Sequence, residues 1–353
     1  MQNSLEEFGY DVSELKSYSG YYKDNVKLKQ SSSGGIATAI AEKFIAGGGV
    51  CFGVKYTDDF RKAEYCCIDK VSELEQLKGS KYIYADKKIT IDSIKYSVYD
   101  ILKEKLCNGY KVLYIGLGCD IAAVYKYCEF NKVDIRNLYT IDLICNGPTF
   151  QEVAKQFIDS IEKKYKSDIK EFTVRYKKCG WEPSYIRAVF HNGKIYEKPF
   201  NDSDYGLAFR NYCQEACFSC KFRGKNHKSD ITIGDYWGID KSSDEYNSDG
   251  VSIVFVNNPT KSDYLLKLIN KDEFELSETD TIRALRGNPN YYRPRPYNSN
   301  YEKFKSDFNN KGLHYAARHV FSLKERFIMC IKKVIKRLVP HSIIAKVKNR
   351  VYN

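Results

Sequence analysis

The sequence predicts a mixed α/β fold: strand–helix units around a mainly parallel sheet, followed by an antiparallel, β-rich second part and a basic C-terminal helix. Three observations carry this. The apolar runs Val50–Val54, Lys111–Ile115 and Leu138–Ile144 are short and strand-like, and they alternate with helical stretches. Two of these runs end in Gly116-Leu117-Gly118-Cys119-Asp120 and Cys145-Asn146-Gly147-Pro148, loop signals of the kind that follow parallel strands. Beyond residue 168 the pattern changes to period-two alternation.

Each element has a local reason. The first 30 residues are polar and read as irregular. Ser31-Ser32-Ser33-Gly34-Gly35 opens a helix whose Ile36, Ile40, Phe44 and Ile45 share one face, and Gly47-Gly48-Gly49 closes it. A helix is expected from about Ile91 to Cys107, and a polar one from about Thr149 to Lys166. Glu171–Tyr176 and Tyr185–Phe200 alternate, with Asn192-Gly193 as a hairpin turn. Strands at Asp230–Gly234 and Val251–Val256 precede a helix from Lys261 to Asn270. The expected divisions are therefore 1–30, an α/β domain over 31–167, a β-rich domain over 168–310 and a tail over 311–353.

The 353 residues suffice for one large domain or two ordinary ones, and 29% charged residues point to a soluble protein. No apolar run is long enough to span a bilayer. The N-terminus, MQNSLEEFGYDVSELK, lacks the basic-then-apolar layout of a secretory signal, so a cytoplasmic, reducing location is expected. The net charge of +12 is concentrated at one end. Phe321–Asn353 holds nine Lys or Arg against one Glu, which leaves +4 for the rest and gives no support for a nucleic-acid-binding body. In this tail Phe327, Ile328, Ile331, Val334, Ile335 and Leu338 recur at helical spacing among lysines. Peripheral contact with an anionic inner-membrane face and packing of the helix on its own domain are both open readings.

The chemistry lies in the cysteines. Cys213, Cys217 and Cys220 form C-x3-C-x2-C, and Cys119 and Cys145 each follow a predicted strand. Thiolates suit iron and zinc alike, so the residues alone leave an iron–sulfur cluster, structural zinc and unrelated buried thiols all standing. A nucleophilic Cys119 has no histidine near it in sequence. Ser33-Gly34-Gly35 at a helix start reads either as a phosphate cradle or as an ordinary capped turn. Gly79-Ser80-Lys81-Tyr82 offers a hydroxyl, an ammonium and a ring in a row.

In order, Ser-Gly-Gly, Gly-Ser-Lys-Tyr, Gly-x-x-Cys, Cys-x-Gly, Cys-x-x-Cys and Asp-Ile-Thr-Ile-Gly-Asp-Tyr-Trp-Gly resemble the coenzyme F-420 hydrogenase/dehydrogenase beta subunit family, from about Ser31 to Asp240. The resemblance implies an oxidoreductase with FAD and one 4Fe–4S cluster that moves electrons between the cluster, the flavin and a small organic acceptor or hydride carrier. It implies Cys119, Cys145, Cys217 and Cys220 as cluster ligands, with Cys213 as a spare. Ser33, Gly34, Gly35, Gly79, Ser80, Lys81, Tyr82, Gly116 and Asp120 are implied at the flavin. Asp120 stands where the family commonly has glutamine, and Asn146 where it has histidine. The negative charge of Asp120 is expected to disfavour the reduced state. No ferredoxin-like CxxCxxC run precedes Ser31, so a separate ferredoxin is expected as electron donor. Short bacterial relatives suggest surface-polysaccharide or nucleotide-sugar chemistry. The competing reading is a zinc-stabilised, non-redox binding or transferase component of a glycan pathway.

Overall fold

A computed structural model describes residues 7–321. Its spine is a sheet of nine strands: β1 Ser17–Tyr22, β2 Val50–Tyr56, β3 Ala63–Ile68, β4 Ala85–Asp86, β7 Val112–Leu117, β8 Leu138–Leu143, β12 Ile231–Asp235, β13 Ser252–Val256 and β14 Phe274–Glu278. Their order is β14-β1-β13-β12-β8-β7-β2-β3-β4. The centre, β12-β8-β7-β2, is parallel. Strands β13, β1 and β14 extend it antiparallel on one side, and β3 does so on the other. A two-stranded hairpin joins β5 Lys88–Ile91 to β6 Ile94–Ser97, and a three-stranded antiparallel sheet holds β9 Ile169–Tyr176, β10 Tyr185–Phe190 and β11 Ile195–Pro199. The mixed α/β class expected from the sequence is the one found.

The burial of β13 shows why its residues Ile253–Val256 are continuously apolar. Val254 faces a core built with Ile36, Ile40, Phe44 and Leu265, which come from the helices Ile36–Ala46 and Pro259–Lys267. Ile253 and Phe255 face the opposite core, with Trp181, Tyr236, Leu285 and Tyr291. A strand covered on both faces has no position for polar alternation. Helices Val98–Cys107, Gly118–Phe130 and Gln151–Tyr165 complete the α/β region.

Three expectations change. First, Ser17–Tyr22, within the stretch read as irregular, is a strand between β13 and β14. Its SYSGYY holds only small and aromatic residues without regular alternation, and its pairing comes from distant partners. Second, the helix expected from Ile91 begins at Val98. Asp92 and Ser93 take positive φ of 47° and 68°, which closes β5 on β6 as a primed hairpin turn. Third, the division expected at residue 168 cuts through the main sheet, because β12 pairs parallel with β8. The boundary between the two compact units falls after Tyr297 instead. The described part of the second unit holds helices Tyr301–Lys311 and Leu313–His319, joined at Gly312. The amphipathic pattern from Phe327 onward lies outside the described residues. Among the described residues no helix is long and apolar enough to cross a membrane.

The turn before Ile36–Ala46 is locked onto the sheet. Gly34 donates its N–H to Ser252 Oγ at 2.9 Å, and its carbonyl accepts from Tyr22 N. A Cβ on Gly34 would lie 2.0 Å from the Gly20 carbonyl oxygen of β1. Gly34→Ala is expected to destabilise the fold by roughly 3 kcal/mol or more, as forced overpacking against backbone does. A lowered urea midpoint with an unchanged slope is the expected readout.

Candidate functional site

The parallel register aligns the carboxyl ends of β7 and β8, with Leu117 opposite Leu143. Cys119 follows one end and Cys145 the other, the position where open parallel sheets place ligands. The segment after helix Asp204–Asn211 brings Cys213, Cys217 and Cys220 to the same place. Gly147, at φ 83°, permits the approach: a Cβ there would lie 3.0 Å from Cys217 Cβ and 3.4 Å from Cys213 Cβ.

The thiols influence one another. Burial, reinforced by Asp120, Cys145 and Cys220, pushes the partly exposed Cys119 up to about 12. Burial pushes Cys145 up to about 11, opposed by Arg223 and a hydrogen bond from Gly147 N, while Cys217 and Cys220 raise it further. A thiol–thiol hydrogen bond links Cys213 to Cys217. It raises the thiol pKa of Cys217 and lowers that of Cys213, whose thiolate Arg295 also favours. All four expected ligands and the spare are thus brought together. Among the described residues no three His, Cys, Asp or Glu side chains are arranged to hold one metal ion. The ligands of a cluster bind separate irons and stand wider apart than those of a single ion.

Two arginines frame the thiols. Arg223 donates to the Cys145 carbonyl at 2.6 Å, and Arg295 donates to the carbonyls of Asn146, Phe209 and Arg210. Behind Cys119, buried Asp142 accepts from Ser229 Oγ at 2.9 Å and meets His227 Nδ1 at 2.6 Å, while the His227 ring stacks on Tyr291. The other cysteines are scattered: Cys51, Cys66 and Cys128 are buried, Cys67 is half-buried, and Cys107 and Cys179 are exposed.

A second cluster of polar groups surrounds the Ser31–Gly35 turn. Arg175 donates to Ser32 O at 2.8 Å, to Asp235 Oδ1 at 3.0 Å and to Tyr82 Oη at 3.4 Å. It therefore ties together the Ser-Gly-Gly turn, the Gly-Ser-Lys-Tyr loop and the Gly-Asp-Tyr-Trp-Gly strand. Lys177, two residues on, donates to Leu28 O and Ser33 O, both at 2.7 Å. Ser80 Oγ donates to Ser32 Oγ at 3.3 Å. The Tyr82 ring, at φ 55°, stacks on Phe209.

Several expected flavin residues are occupied by the fold itself. Ser33 Oγ donates to Val251 O, and Gly34 N is taken by Ser252. Lys81 Nζ donates to four carbonyls, Gln76, Leu77, Lys78 and Gly79, and so caps the 3-10 turn Val71–Leu77. Gly35, at φ 97°, and Gly79, at φ 80°, supply turn conformations that suit glycine. Gly116 is packed against Tyr65, whose hydroxyl would sit 2.6 Å from a Cβ.

Asp120 also differs from expectation. It accepts from Tyr65 Oη at 2.9 Å and pairs with Lys87 Nζ at 2.7 Å. Lys87 lies over the Tyr65 and Tyr84 rings. The negative charge beside Cys119 is thereby countered by a lysine that sequence spacing did not link to it.

Arg175 and Lys177 are the residues that sequence reasoning missed. Their signal was present: Arg175 near the end of β9 and Lys177 just beyond it are cations at i and i+2 of an extended run, which places them on the same side. Buried cations normally pair with carboxylates. Here Arg175, Lys81 and Lys177 are each at most 9% exposed, yet only Arg175 has a carboxylate partner, Asp235. Burial lowers Lys81 to about 8 and Lys177 to about 7, with Arg175 adding to the second shift.

Residues 109–282 match the family model for the C-terminal part of the coenzyme F420 hydrogenase/dehydrogenase beta subunit, which supports the resemblance to that family. The chain is also similar to one in the F420-reducing [NiFe] hydrogenase complex of Methanosarcina barkeri, determined after xenon derivatization. The TM-score is 0.50 at 17% identity, covering 85% of this chain and 95% of that one, and the likeness is one of fold. No curated protein matches the chain. The matched family is described as a hydrogenase/dehydrogenase subunit, with which an oxidoreductase role is consistent.

Two outcomes are expected from these contacts. Lys87→Gln leaves Asp120 buried without its cation and is expected to cost roughly 3 kcal/mol, read as a lowered unfolding midpoint, with Lys87→Arg largely restoring it. Lys177 titrates near 7 in the fold and near its ordinary value when unfolded, so between these the unfolded chain holds the extra proton and stability rises with pH. The rise from pH 7 upward is expected to reach at most about 1.4 kcal/mol per pH unit. Lys177→Met is expected to flatten it in urea titrations across that range.

Proposed function

We propose that the protein is an iron–sulfur flavoprotein oxidoreductase, with a 4Fe–4S cluster held by Cys119, Cys145, Cys217 and Cys220 and FAD bound beside the Ser31–Gly35 turn. The observation that supports this reading is that β7 and β8 end in register beside Cys119 and Cys145, while Gly147 lies against Cys217 and Cys213 and Gly118 against Phe222, two residues from Cys220. Their donor chemistry fits the cluster: soft sulfur, half-buried, with Arg223 and Arg295 near to favour thiolate. Cys213 is a fifth thiol at the same place.

The surplus of buried cations fits the flavin's pyrophosphate. Lys177 and the N-terminus of the helix Ile36–Ala46 would face an anion there, and bound negative charge would relieve the burial of an ammonium that has only carbonyl acceptors. Arg175 positions Ser32, Tyr82 and Asp235 for it, and Lys81 holds the Gly79–Tyr82 loop in shape. When bound, the two groups supply one-electron and two-electron transfer respectively. The chain's own task is to hold them close, shield them from water and set the surrounding charge. The acceptor we assign is a small organic molecule or hydride carrier, of the nucleotide-sugar class that the resemblance implies, with an acidic ferredoxin as donor.

Anaerobic purification tests this. The expected protein is brown, carries about four irons per chain and releases FAD on denaturation. Cys119→Ser and Cys145→Ser are each expected to lose most of the iron while remaining folded. A colourless wild type that contains zinc and no flavin would overturn the proposal and favour the non-redox reading.

A further inference from the structure

The opposite edge of the parallel sheet carries a cleft that the proposed electron transfer does not use. Strands β7, β8 and β12 run parallel, so the chain enters all three at one edge and leaves at the other. The thiols lie past the carboxyl end of β8. At its amino end a cleft of about 480 Å³ opens between Tyr125, Ile135, Arg136, Lys228, Asn258 and Lys261. Three contacts fix its place. Lys261 Nζ donates to the carbonyls of Ile135 and Leu138 at 3.0 and 2.6 Å, Tyr125 Oη meets Thr140 Oγ1 at 3.2 Å, and Asn258 Nδ2 donates to Asp230 Oδ1 at 3.1 Å. The length of β8, six residues, keeps the two edges roughly 16 Å apart.

The lining is cationic, and its donors are only partly used. Arg136 gives Nε and Nη2 to Asp134 Oδ2, which leaves Nη1 without a protein acceptor among the described residues. Lys228 is exposed and makes no hydrogen bond or ion pair among them. Lys261 has committed two of its three N–H donors to carbonyls. Two carboxylates stand near these three cations. Asp134 sits at the rim with Arg136. Asp230 lies beneath, 1% exposed, with its carboxylate held by Thr140 N, Thr140 Oγ1 and Asn258 Nδ2. Burial favours its neutral form. Ile135, 37% exposed, and the half-buried Tyr125 supply apolar wall to the same cleft.

We propose that this cleft binds a small organic molecule bearing a phosphate group, with Arg136, Lys228 and Lys261 at the phosphate and Tyr125 and Ile135 against the organic body. Guanidinium and ammonium donors match phosphate oxygens, and the volume is that of a small-molecule site. A nucleic-acid strand is held by cations spread along a groove, whereas these three line one cleft. The site is separate from the Ser31–Gly35 turn and from the thiols, so it does not depend on the cluster or the flavin being bound.

The test titrates the full chain with adenosine monophosphate, adenosine and inorganic phosphate at one ionic strength. Occupancy is read residue by residue, as protection of lysines from acylation followed by peptide mass spectrometry. Adenosine monophosphate is expected to protect Lys228 and to leave the exposed Lys163 unprotected. Adenosine is expected not to protect, and inorganic phosphate to do so only at higher concentration. The double change Arg136→Ala, Lys228→Ala, at two exposed sites, is expected to weaken calorimetric binding of the monophosphate by about tenfold or more. The control Lys163→Ala, Lys194→Ala is expected to leave it near wild type. Binding at the other cationic cluster would instead respond to Lys177→Met, and loss of Lys228 protection in that variant would overturn the proposal. So would an unprotected Lys228, equal loss in both double variants, equal protection by adenosine, or protection by an RNA oligonucleotide alone. Inorganic phosphate binding as tightly as the monophosphate would remove the organic body from the assignment and so overturn it as stated.

Discussion

The parallel pairing of β7 with β8 is the constraint on which the rest of the site depends. Because two parallel strands in register end at the same edge, residues 26 positions apart in sequence, Cys119 and Cys145, arrive side by side. A third parallel strand, β12, joins at β8. The chain leading into it crosses that same edge and carries Cys213, Cys217 and Cys220 with it. Glycine makes the final approach possible at Gly147, where a side chain would collide with Cys217. The cysteine site is thus a consequence of strand direction.

The second polar cluster follows a different logic. It is assembled across separate sheets, because Arg175 from the small antiparallel sheet and Lys177, just past the end of its strand β9, reach the turn that precedes Ile36–Ala46. Arg175 is satisfied by a carboxylate, a phenol and a carbonyl. Lys177 and Lys81 have only carbonyls, and burial lowers both. An excess of buried positive charge is costly in an isolated protein and is relieved by an anion. The arrangement also explains why the motif glycines are not all ligand-facing: Gly34 fits the turn onto β1 and β13, and Lys81 holds the loop that carries Tyr82.

Apolar runs such as Val50–Val54 and Leu138–Ile144 were legible as strands because burial on both faces leaves a continuous hydrophobic signature. The hairpin at residues 88–97 was not, since Asp92 and Ser93 adopt left-handed backbone that their identities only permit. Strand β1 was equally hidden: SYSGYY has no strong pattern, and its partners lie more than 200 residues away. Lys87 stood 33 positions from Asp120, with no motif to join them.

By itself, the sequence determined the α/β class, the central strands and the five cysteines with metal-ligand character, because periodicity and residue chemistry are local properties. The tertiary structure decided which groups meet. It placed Cys213 with the other four thiols, countered Asp120 with Lys87, turned Lys81 inward as a cap and brought Arg175 and Lys177 to the Ser31–Gly35 turn. Such encounters depend on strand order and register, which arise from contacts between residues far apart in the chain and leave no trace in any short window of it.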